Sequence, residues 1–434
     1  MKIRSLAFAL TLLSAACGTE VITRTEQPTP DTNSTEPTKT VAGGVSIDRV
    51  SIYQGVEVRL VEDGALTEER NAPILTKRPA LVRVHAKRLA GARPPKVSAK
   101  LHVKSGGEET VLSAGPRSLG VYVDSDLDTT FNFELDAELV TKDLELSVDV
   151  IGATKDDAIH FPEGDETIAA EAVDAPPLRV QLVPVKYTAE GEERLPDLSD
   201  ANVKRYHDAL YKLYPVSEVE VSLHAELAFP IPIAPDGDGW SELLNTVMNM
   251  RAEEEVDDDV YYIGVFTPAP TLREFCMSGG GGCILGIAPA SGYNAELDTN
   301  MSLRSALVLG YQTEKSGGTL AQELAHAMGR LHAPCGNPNA IDKKYPYEDA
   351  RVGTSGWDPL TKELKSGEDH ADFMSYCSPV WVSDYTWKAI HQRMNKVTDV
   401  MAAKDGTTKS IEVKKPSSIP KLSPEQIAWT RDAL

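Results

Sequence analysis

Residues 322–332 read Gln322-Glu323-Leu324-Ala325-His326-Ala327-Met328-Gly329-Arg330-Leu331-His332. In a helix, residues 322 and 326 are neighbours one turn apart, and Glu323 lies beside them. Gly329 can end such a helix in a left-handed conformation, which a residue with a Cβ enters reluctantly. The chain then turns, and His332 approaches from below. The spacing therefore predicts one site made by this segment, with Gly329 as a structural part of it.

This spacing approaches H-E-x-x-H-x-x-G-x-x-H, a motif in which histidines hold Zn²⁺ and the glutamate activates a water molecule. A second segment follows it and reads Asp372-Phe373-Met374-Ser375-Tyr376-Cys377. In this order, the two segments resemble the active-site helix and the methionine turn of the metzincin metalloproteases. The likeness covers residues 179–400, and the stretch from Met374 to Asp384 is most similar to the branch that contains secreted mucin-cleaving enzymes.

The resemblance implies an α+β, metzincin-like catalytic domain with a mixed sheet, and a zinc endopeptidase that cleaves protein or glycoprotein substrates. It implies that His326 and His332 are zinc ligands and that Glu323 is the general base and acid. Met374 would form the apolar floor of the site. Tyr376 would lie near the metal, where its hydroxyl can stabilise the oxyanion of the tetrahedral intermediate.

Gln322 stands where the motif has its first histidine, and an amide oxygen is a weaker zinc ligand than an imidazole nitrogen. Losing a group that merely orients a ligand costs roughly 10–100-fold in metal affinity, so a poor ligand should cost at least that. Three outcomes are open: a weakened working site, a substitute ligand such as His370, or an inactive protein that binds peptide or glycoprotein without cleaving it. A capping box from Thr319 to Gln322 would instead assign Gln322 to the start of the helix.

Five cysteines are present, and setting Cys17 aside leaves four that can pair in an oxidising compartment. Cys276 and Cys283 flank a glycine-rich loop that a local bridge would close. Cys335 and Cys377 each lie three residues after a residue of the implied site, so a bridge joins them if the metal brings the two segments together. Four cysteines permit three pairings, and both bridges are therefore predictions.

The amino terminus is typical of an export signal. Lys2 and Arg4 precede a short apolar run, and small residues come directly before Cys17. The run is too short to span a bilayer, and the pattern resembles a bacterial lipobox. We expect a signal peptide over residues 1–16 and a lipid anchor on Cys17 that holds the protein to the bacterial cell envelope, on the periplasmic or surface face of the outer membrane. A plain secreted protein is the alternative.

Composition and periodicity divide the rest of the chain. Residues 17–44 are rich in Thr, Pro, Glu, Asn and Ser, which predicts a disordered tether. Short alternating apolar runs predict an Ig-like β-sandwich over residues 45–177. Strands that alternate with helices predict the metzincin-like domain over residues 178–400. Prolines after this domain predict a loosely packed tail over residues 401–434.

Individual elements of the second domain are also predicted. Apolar runs indicate strands over 178–187, 219–227 and 260–266, and helical periodicity indicates helices over 199–213 and 384–397. In the sandwich, three histidines are scattered along the sequence and predict no catalytic cluster, namely His85, His102 and His160. A substrate-positioning module and a stabilising spacer are both open for that domain.

The formal net charge is −21, from 65 acidic and 44 basic residues. No basic stripe is present, and the overall field repels phosphate. Nucleic acid is therefore excluded as an expected partner. The partners that remain are a protein or glycoprotein substrate and, through Cys17, a membrane.

Overall fold

The computed structural model describes residues 44–91, 96–152, 158–280, 282–290, 296–313, 315–405 and 427–433. The predicted signal peptide, Cys17 and all but the last residue of the predicted tether lie outside these ranges. The described residues belong to one compact unit. Within them, no helix is both long enough and apolar enough to cross a membrane.

The first part of the described chain is built of strands and short 3-10 turns. Its strands are β1 (Val45–Tyr53), β2 (Glu57–Glu62), β3 (Ala65–Leu66), β4 (Ala80–Arg88), β5 (Val97–Ser105), β6 (Glu108–Arg117), β7 (Phe131–Leu135), β8 (Glu145–Ile151), β9 (Ile159–Phe161) and β10 (Ile168–Ala169), and its 3-10 turns are Leu127–Thr129 and Ala137–Leu139. The strands form two antiparallel sheets, in the orders β3-β2-β1-β4-β7 and β10-β8-β5-β6, with β9 paired to β8. Buried side chains from both sheets join one hydrophobic cluster, as the alternating pattern predicts.

Two histidines of these sheets, although far apart in the sequence, lie against the same carboxylate. His102 Nε2 lies 2.9 Å from Oδ2 of Asp149, and His160 Nδ1 lies 2.6 Å from Oδ1 of the same carboxylate. Asp149 on β8 pairs directly with His160 on β9, and it lies diagonally across from His102 on β5. Such neighbours depend on strand register, which the linear sequence did not provide. His85 is fully buried, which agrees with a structural role.

The second part of the chain mixes strands and helices. Its elements are β11 (Leu178–Tyr187), α1 (Asp200–Leu213), β12 (Val219–Leu223), β13 (Leu227–Phe229), α2 (Trp240–Glu253), β14 (Val260–Phe266), α3 (Leu272–Ser278), β15 (Gly282–Pro289), α4 (Glu296–Thr299), β16 (Ser305–Leu309), α5 (Ser316–Ala327), β17 (Gly356–Asp358), β18 (Glu363–Lys365), β19 (Ala371–Asp372), β20 (Val380–Trp381), α6 (Asp384–Asp405) and β21 (Ile427–Ala433), with 3-10 turns at Ala189–Gly191, Met301–Leu303 and Glu348–Ala350. The expected α+β organisation with a mixed sheet is confirmed at this level.

The large sheet runs β12-β11-β14-β16-β15-β21, and β13 also pairs with β11. Its pairings are parallel except on the two sides of β15, which is antiparallel to β16 and to β21. β14 is buried along nearly its whole length, as expected for a continuous apolar run inside such a sheet. α5 follows β16 and packs against β15, β16 and α1. The sheet therefore supports α5 from below.

The strand-only part packs directly against the part that carries α5. The buried Arg78 donates from Nε to the carbonyl oxygen of Gln54 at 2.7 Å and from Nη2 to that of Tyr211 at 2.7 Å. Trp381, on β20, donates from Nε1 to the carbonyl oxygen of Gly55 at 2.6 Å. Because β20 pairs with β19, the Trp381 contact supports the segment that leads into Met374 and Tyr376.

The prediction of a loose tail over 401–434 was wrong wherever that stretch is described. α6 continues to Asp405, and β21 forms an edge strand on β15. Ile427 and Ala428 are buried in the core. The prolines before residue 425 favour a loose tail, but the short apolar run after them is compatible with a strand. Residues 406–426 lie outside the described ranges.

Candidate active site

Gln322 lies inside α5 and not at its start. The helix begins at Ser316, with Lys315 in the N-cap position, so the predicted capping box from Thr319 to Gln322 is wrong. Gln322 is one turn before His326 and is therefore its neighbour on the helix surface. Its Nε2 atom is buried and has no hydrogen-bond partner among the described residues. Gln322 is thus free of any role at the helix end.

Gly329 ends the helix as its sequence position predicts. Its φ is +88°, in the left-handed region that favours glycine. The Gly329 amide donates to the carbonyl oxygen of His326 at 2.8 Å, and the Arg330 amide donates to that of Ala325 at 2.9 Å. The chain then reverses, and Ala333 donates its amide to the carbonyl oxygen of Met374 at 3.0 Å. This turn brings the segment that carries His332 back under α5.

The two predicted zinc-ligand histidines meet in the core. Their Nε2 atoms lie 3.1 Å apart, and both rings are fully buried. Nδ1 of His326 lies 2.7 Å from the carbonyl oxygen of Arg330. Nδ1 of His332 lies 2.6 Å from the carbonyl oxygen of Asn339. Because a carbonyl oxygen can only accept, both Nδ1 atoms carry the proton, and in each neutral ring Nε2 is the unprotonated nitrogen.

Two unprotonated nitrogens at this separation repel each other unless a cation lies between them. Burial lowers the pKa of His332 to about 4. Burial, and then the neighbouring His332 ring, lowers the pKa of His326 well below its usual value. A shared proton is therefore disfavoured at neutral pH. Tetrahedral zinc holds two nitrogens about 3.3 Å apart, close to the observed 3.1 Å, so the pair fits zinc.

Glu323 occupies a closed slot between α5 and the sheet. The residue is fully buried, and a Cβ on Gly286 of β15 would lie 2.6 Å from its Cγ. Thr430 of β21 donates its hydroxyl to Oε1, whereas Oε2 has no partner within the described ranges. Burial raises the pKa of Glu323 to about 8, against the opposing effect of the Thr430 hydrogen bonds. A carboxyl group with this pKa can exchange a proton near neutral pH.

Hydrogen bonds to the carboxylate of Asp372 hold the turn around Met374 in place. Met374 is buried, and its amide donates to Oδ1 of Asp372 at 2.8 Å. The other oxygen of Asp372 accepts from the Ser383 amide at 3.0 Å. The Tyr376 ring meets the His332 ring edge-on, with 5.0 Å between the ring centroids. The structure therefore brings Tyr376 next to His332 and joins the backbone of Met374 to Ala333, the residue after His332.

His370 does not join this group as a substitute ligand. Its Nδ1 lies 3.1 Å from the carbonyl oxygen of Ser366, in its own loop. Across the described ranges, no three side chains of His, Cys, Asp or Glu converge so that they could hold a metal ion. The side chains that could donate to a metal here are those of His326 and His332. The amide of Gln322 lies one helical turn before His326 on α5.

Both predicted disulfides are present. Cys276 bonds to Cys283, with 4.7 Å between the Cα atoms, and Cys335 bonds to Cys377, with 5.7 Å between the Cα atoms. The second bridge spans 42 positions and ties the segment after His332 to the methionine turn. It therefore reinforces the convergence of the two sequence motifs.

Removing the bridge from Cys335 to Cys377 should destabilise the protein more than removing the one from Cys276 to Cys283. The sequence separations are 42 and 7, and loop-closure entropy then predicts losses of about 4 and about 2 kcal/mol in the free energy of unfolding. Urea unfolding of the two double-alanine variants measures both losses. Equal losses, or the reverse order, would contradict this account.

Three contacts of the site were missed at the sequence level. Gly286 leaves room for Glu323, Thr430 caps it, and Asn339 orients His332 through its backbone carbonyl. Only Gly286, a glycine inside an apolar strand, gave a local signal, because such a glycine often marks a close approach. Thr430 lies 107 positions from Glu323 and carried no local sign of its role.

Comparison with known proteins adds no further assignment. No family model matches the chain, and no curated protein is significantly similar to it. The features that indicate a function are therefore the paired imidazoles, the buried carboxyl group of Glu323 and the turn around Met374.

Proposed function

We propose that the chain is a zinc-dependent metalloendopeptidase of the metzincin type that cleaves protein or glycoprotein substrates. The observation that supports this most directly is the 3.1 Å approach of the His326 and His332 Nε2 atoms, with both Nδ1 atoms held as donors. The order of strands and helices before α5, and the hydrogen bond that joins Met374 to the residue after His332, also support the proposal.

His326 and His332 would hold the zinc ion, and Gln322 would supply a weak third ligand through its amide oxygen. Bound zinc would provide a Lewis acid that polarises a substrate carbonyl and lowers the pKa of a water molecule. The Arg330 and Asn339 carbonyls fix both imidazoles in the tautomer that leaves Nε2 free for a metal.

Glu323 would take a proton from the attacking water and pass it to the leaving amine. Its placement beside Gln322 and His326 on α5 suits this role. Burial raises the pKa of its carboxyl group, which favours the protonated form that passes the proton to the leaving amine. Tyr376, whose ring packs on His332, would donate its hydroxyl to the developing oxyanion.

A second candidate is an inactive, metzincin-like binding protein that holds peptide or glycoprotein. Two observations favour it. Gln322 stands where the motif has its first histidine, and within the described ranges no other His, Cys, Asp or Glu joins His326 and His332 as a third ligand. In that case zinc binding would be weak, and the chain would hold a polypeptide without hydrolysing it. The two candidates differ in whether hydrolysis occurs.

Zinc binding tests the proposal directly. We expect the metal-stripped chain to bind one zinc ion, and His332→Ala to weaken this binding by at least about 100-fold, because a ligand is lost outright. Competition with a chromophoric chelator measures both affinities. His370→Ala is the matched control and should leave the affinity unchanged. A native chain that takes up no zinc, or an equal loss in both variants, would overturn the proposal.

The cellular location is proposed from the sequence alone. The charged start, the apolar run and the small residues before Cys17 support an exported protein with a lipid on that cysteine, attached to the cell envelope. The proposed substrates would then be extracytoplasmic polypeptides.

A further inference from the structure

The edge of the sheet beside Glu323 is occupied by the chain's own carboxyl-terminal strand. β21 pairs antiparallel with β15 over its whole length, and Thr430 is the partner of Gly286. At this position the Thr430 hydroxyl donates to Oε1 of Glu323. Three positions earlier in the ladder, the side chain of Asn339 donates to the Ile427 carbonyl oxygen at 3.2 Å.

These two contacts of β21 involve residues at the proposed catalytic site. Thr430 engages a carboxylate oxygen of Glu323, and Asn339 is the residue whose backbone carbonyl accepts from Nδ1 of His332. One oxygen of Glu323 is therefore occupied by a hydroxyl of the chain itself. A general base needs an accessible lone pair within hydrogen-bond reach of the water that it deprotonates.

We propose that β21 is an autoinhibitory strand: it fills the place of an extended polypeptide on β15 and keeps the site closed until it is displaced. This inference rests on the proposed function, because it names the regulation of the same site. The occupant is residues 427–433 of this chain, and the ligand that replaces it is another extended polypeptide.

The chemistry of the contact explains why exchange can occur. β21 is held by a backbone ladder, and such a ladder accepts any extended chain whose side chains fit. β16 pairs with one edge of β15, and β21 pairs with the other. The backbone groups along this outer edge have hydrogen-bond partners only while a strand pairs there. The apolar anchors of β21 in the core are Ile427 and Ala428. β21 is thus the last strand at one edge, and the rest of the sheet continues from β15 through β16 and β14.

Peptide binding tests the proposal without zinc or hydrolysis. The probe is a fluorescent synthetic peptide of residues 427–433, titrated against the full chain and against a chain that ends at residue 426. A tethered strand competes at an effective concentration on the order of millimolar, so the full chain should bind the probe about 10- to 100-fold more weakly. Equal binding to both chains, or no binding to a folded shortened chain, overturns the proposal. Circular dichroism reports whether the shortened chain is folded.

A full-length variant covers the case in which the shortened chain does not fold. Thr430→Glu places a second carboxylate against Glu323 and should release β21, which raises probe affinity about tenfold over the native chain. Thr398→Glu, at an exposed position of α6, is the matched control and should bind the probe as the native chain does. If Thr430→Glu and Thr398→Glu bind the probe equally, β21 is not a displaceable occupant.

Hydrolysis by the same variants separates this proposal from the proposed function. If the native chain cleaves a polypeptide, Thr430→Glu should cleave it about tenfold faster, and an unchanged rate overturns the autoinhibitory strand while the peptidase stands. If no variant cleaves but the probe displaces β21, the strand is supported and the peptidase fails.

Discussion

Replacing Glu323 with alanine is expected to lower kcat/KM for polypeptide hydrolysis by about 10²- to 10⁴-fold, the contribution of a positioned general base. Glu323 is fully buried and lies about one helical turn before His326 on α5. Hydrolysis of a quenched fluorescent peptide measures the loss. The measurement is best repeated in the Thr430→Glu background, where β21 should no longer cover the site.

Zinc content must accompany this rate measurement. Glu323 is not one of the proposed ligands, so Glu323→Ala should lower the zinc affinity far less than the loss of a ligand in His332→Ala does. Glu348→Ala, which removes an exposed carboxylate, is the matched control and should change neither quantity. A Glu323→Ala variant that hydrolyses at the native rate would remove Glu323 from the mechanism. If Glu323→Ala instead loses its zinc, Glu323 has a structural role at the metal.

Local patterns in the sequence predicted much of the fold. The apolar runs over 178–187 and 260–266 became β11 and β14 with those same bounds. Both strands lie inside the sheet: β14 is a nearly continuous apolar run, and β11 mostly alternates buried with half-buried positions. The prediction of one strand over 219–227 was wrong, because the chain leaves β11 after Leu223 and returns as β13 at Leu227. The spacing of apolar residues in the sequence does not reveal such an interruption.

The candidate site divides in the same way between local and long-range contacts. Helical spacing placed Gln322, Glu323 and His326 together, and the glycine rule placed the turn at Gly329, since each depends on residues a few positions apart. The cap from Thr430 onto Glu323 could not be predicted. It depends on the pairing of β21 with β15, which sets a strand near position 430 against one near position 286. Register of this kind is decided by packing in three dimensions.

Replacing Gln322 with histidine is expected to raise zinc affinity by at least about 10–100-fold, because an imidazole nitrogen replaces an amide oxygen in the ligand set. The position is buried on α5, one turn before His326, and its Nε2 atom has no partner among the described residues that the substitution would deprive. Chelator competition measures the gain. Gln312→His, at an exposed position before α5, is the matched control and should leave the affinity unchanged.

The same variant decides between the two candidate functions. If Gln322 already serves as a weak ligand, the native chain hydrolyses polypeptide when zinc is in excess, and Gln322→His mainly lowers the zinc concentration required. If the native chain is a binding protein, hydrolysis appears only with the added histidine and disappears again in Gln322→His/Glu323→Ala. An unchanged zinc affinity in Gln322→His would mean that position 322 does not face the metal. The paired Nε2 atoms of His326 and His332 would then need a ligand from outside the chain to complete the tetrahedral set that zinc prefers.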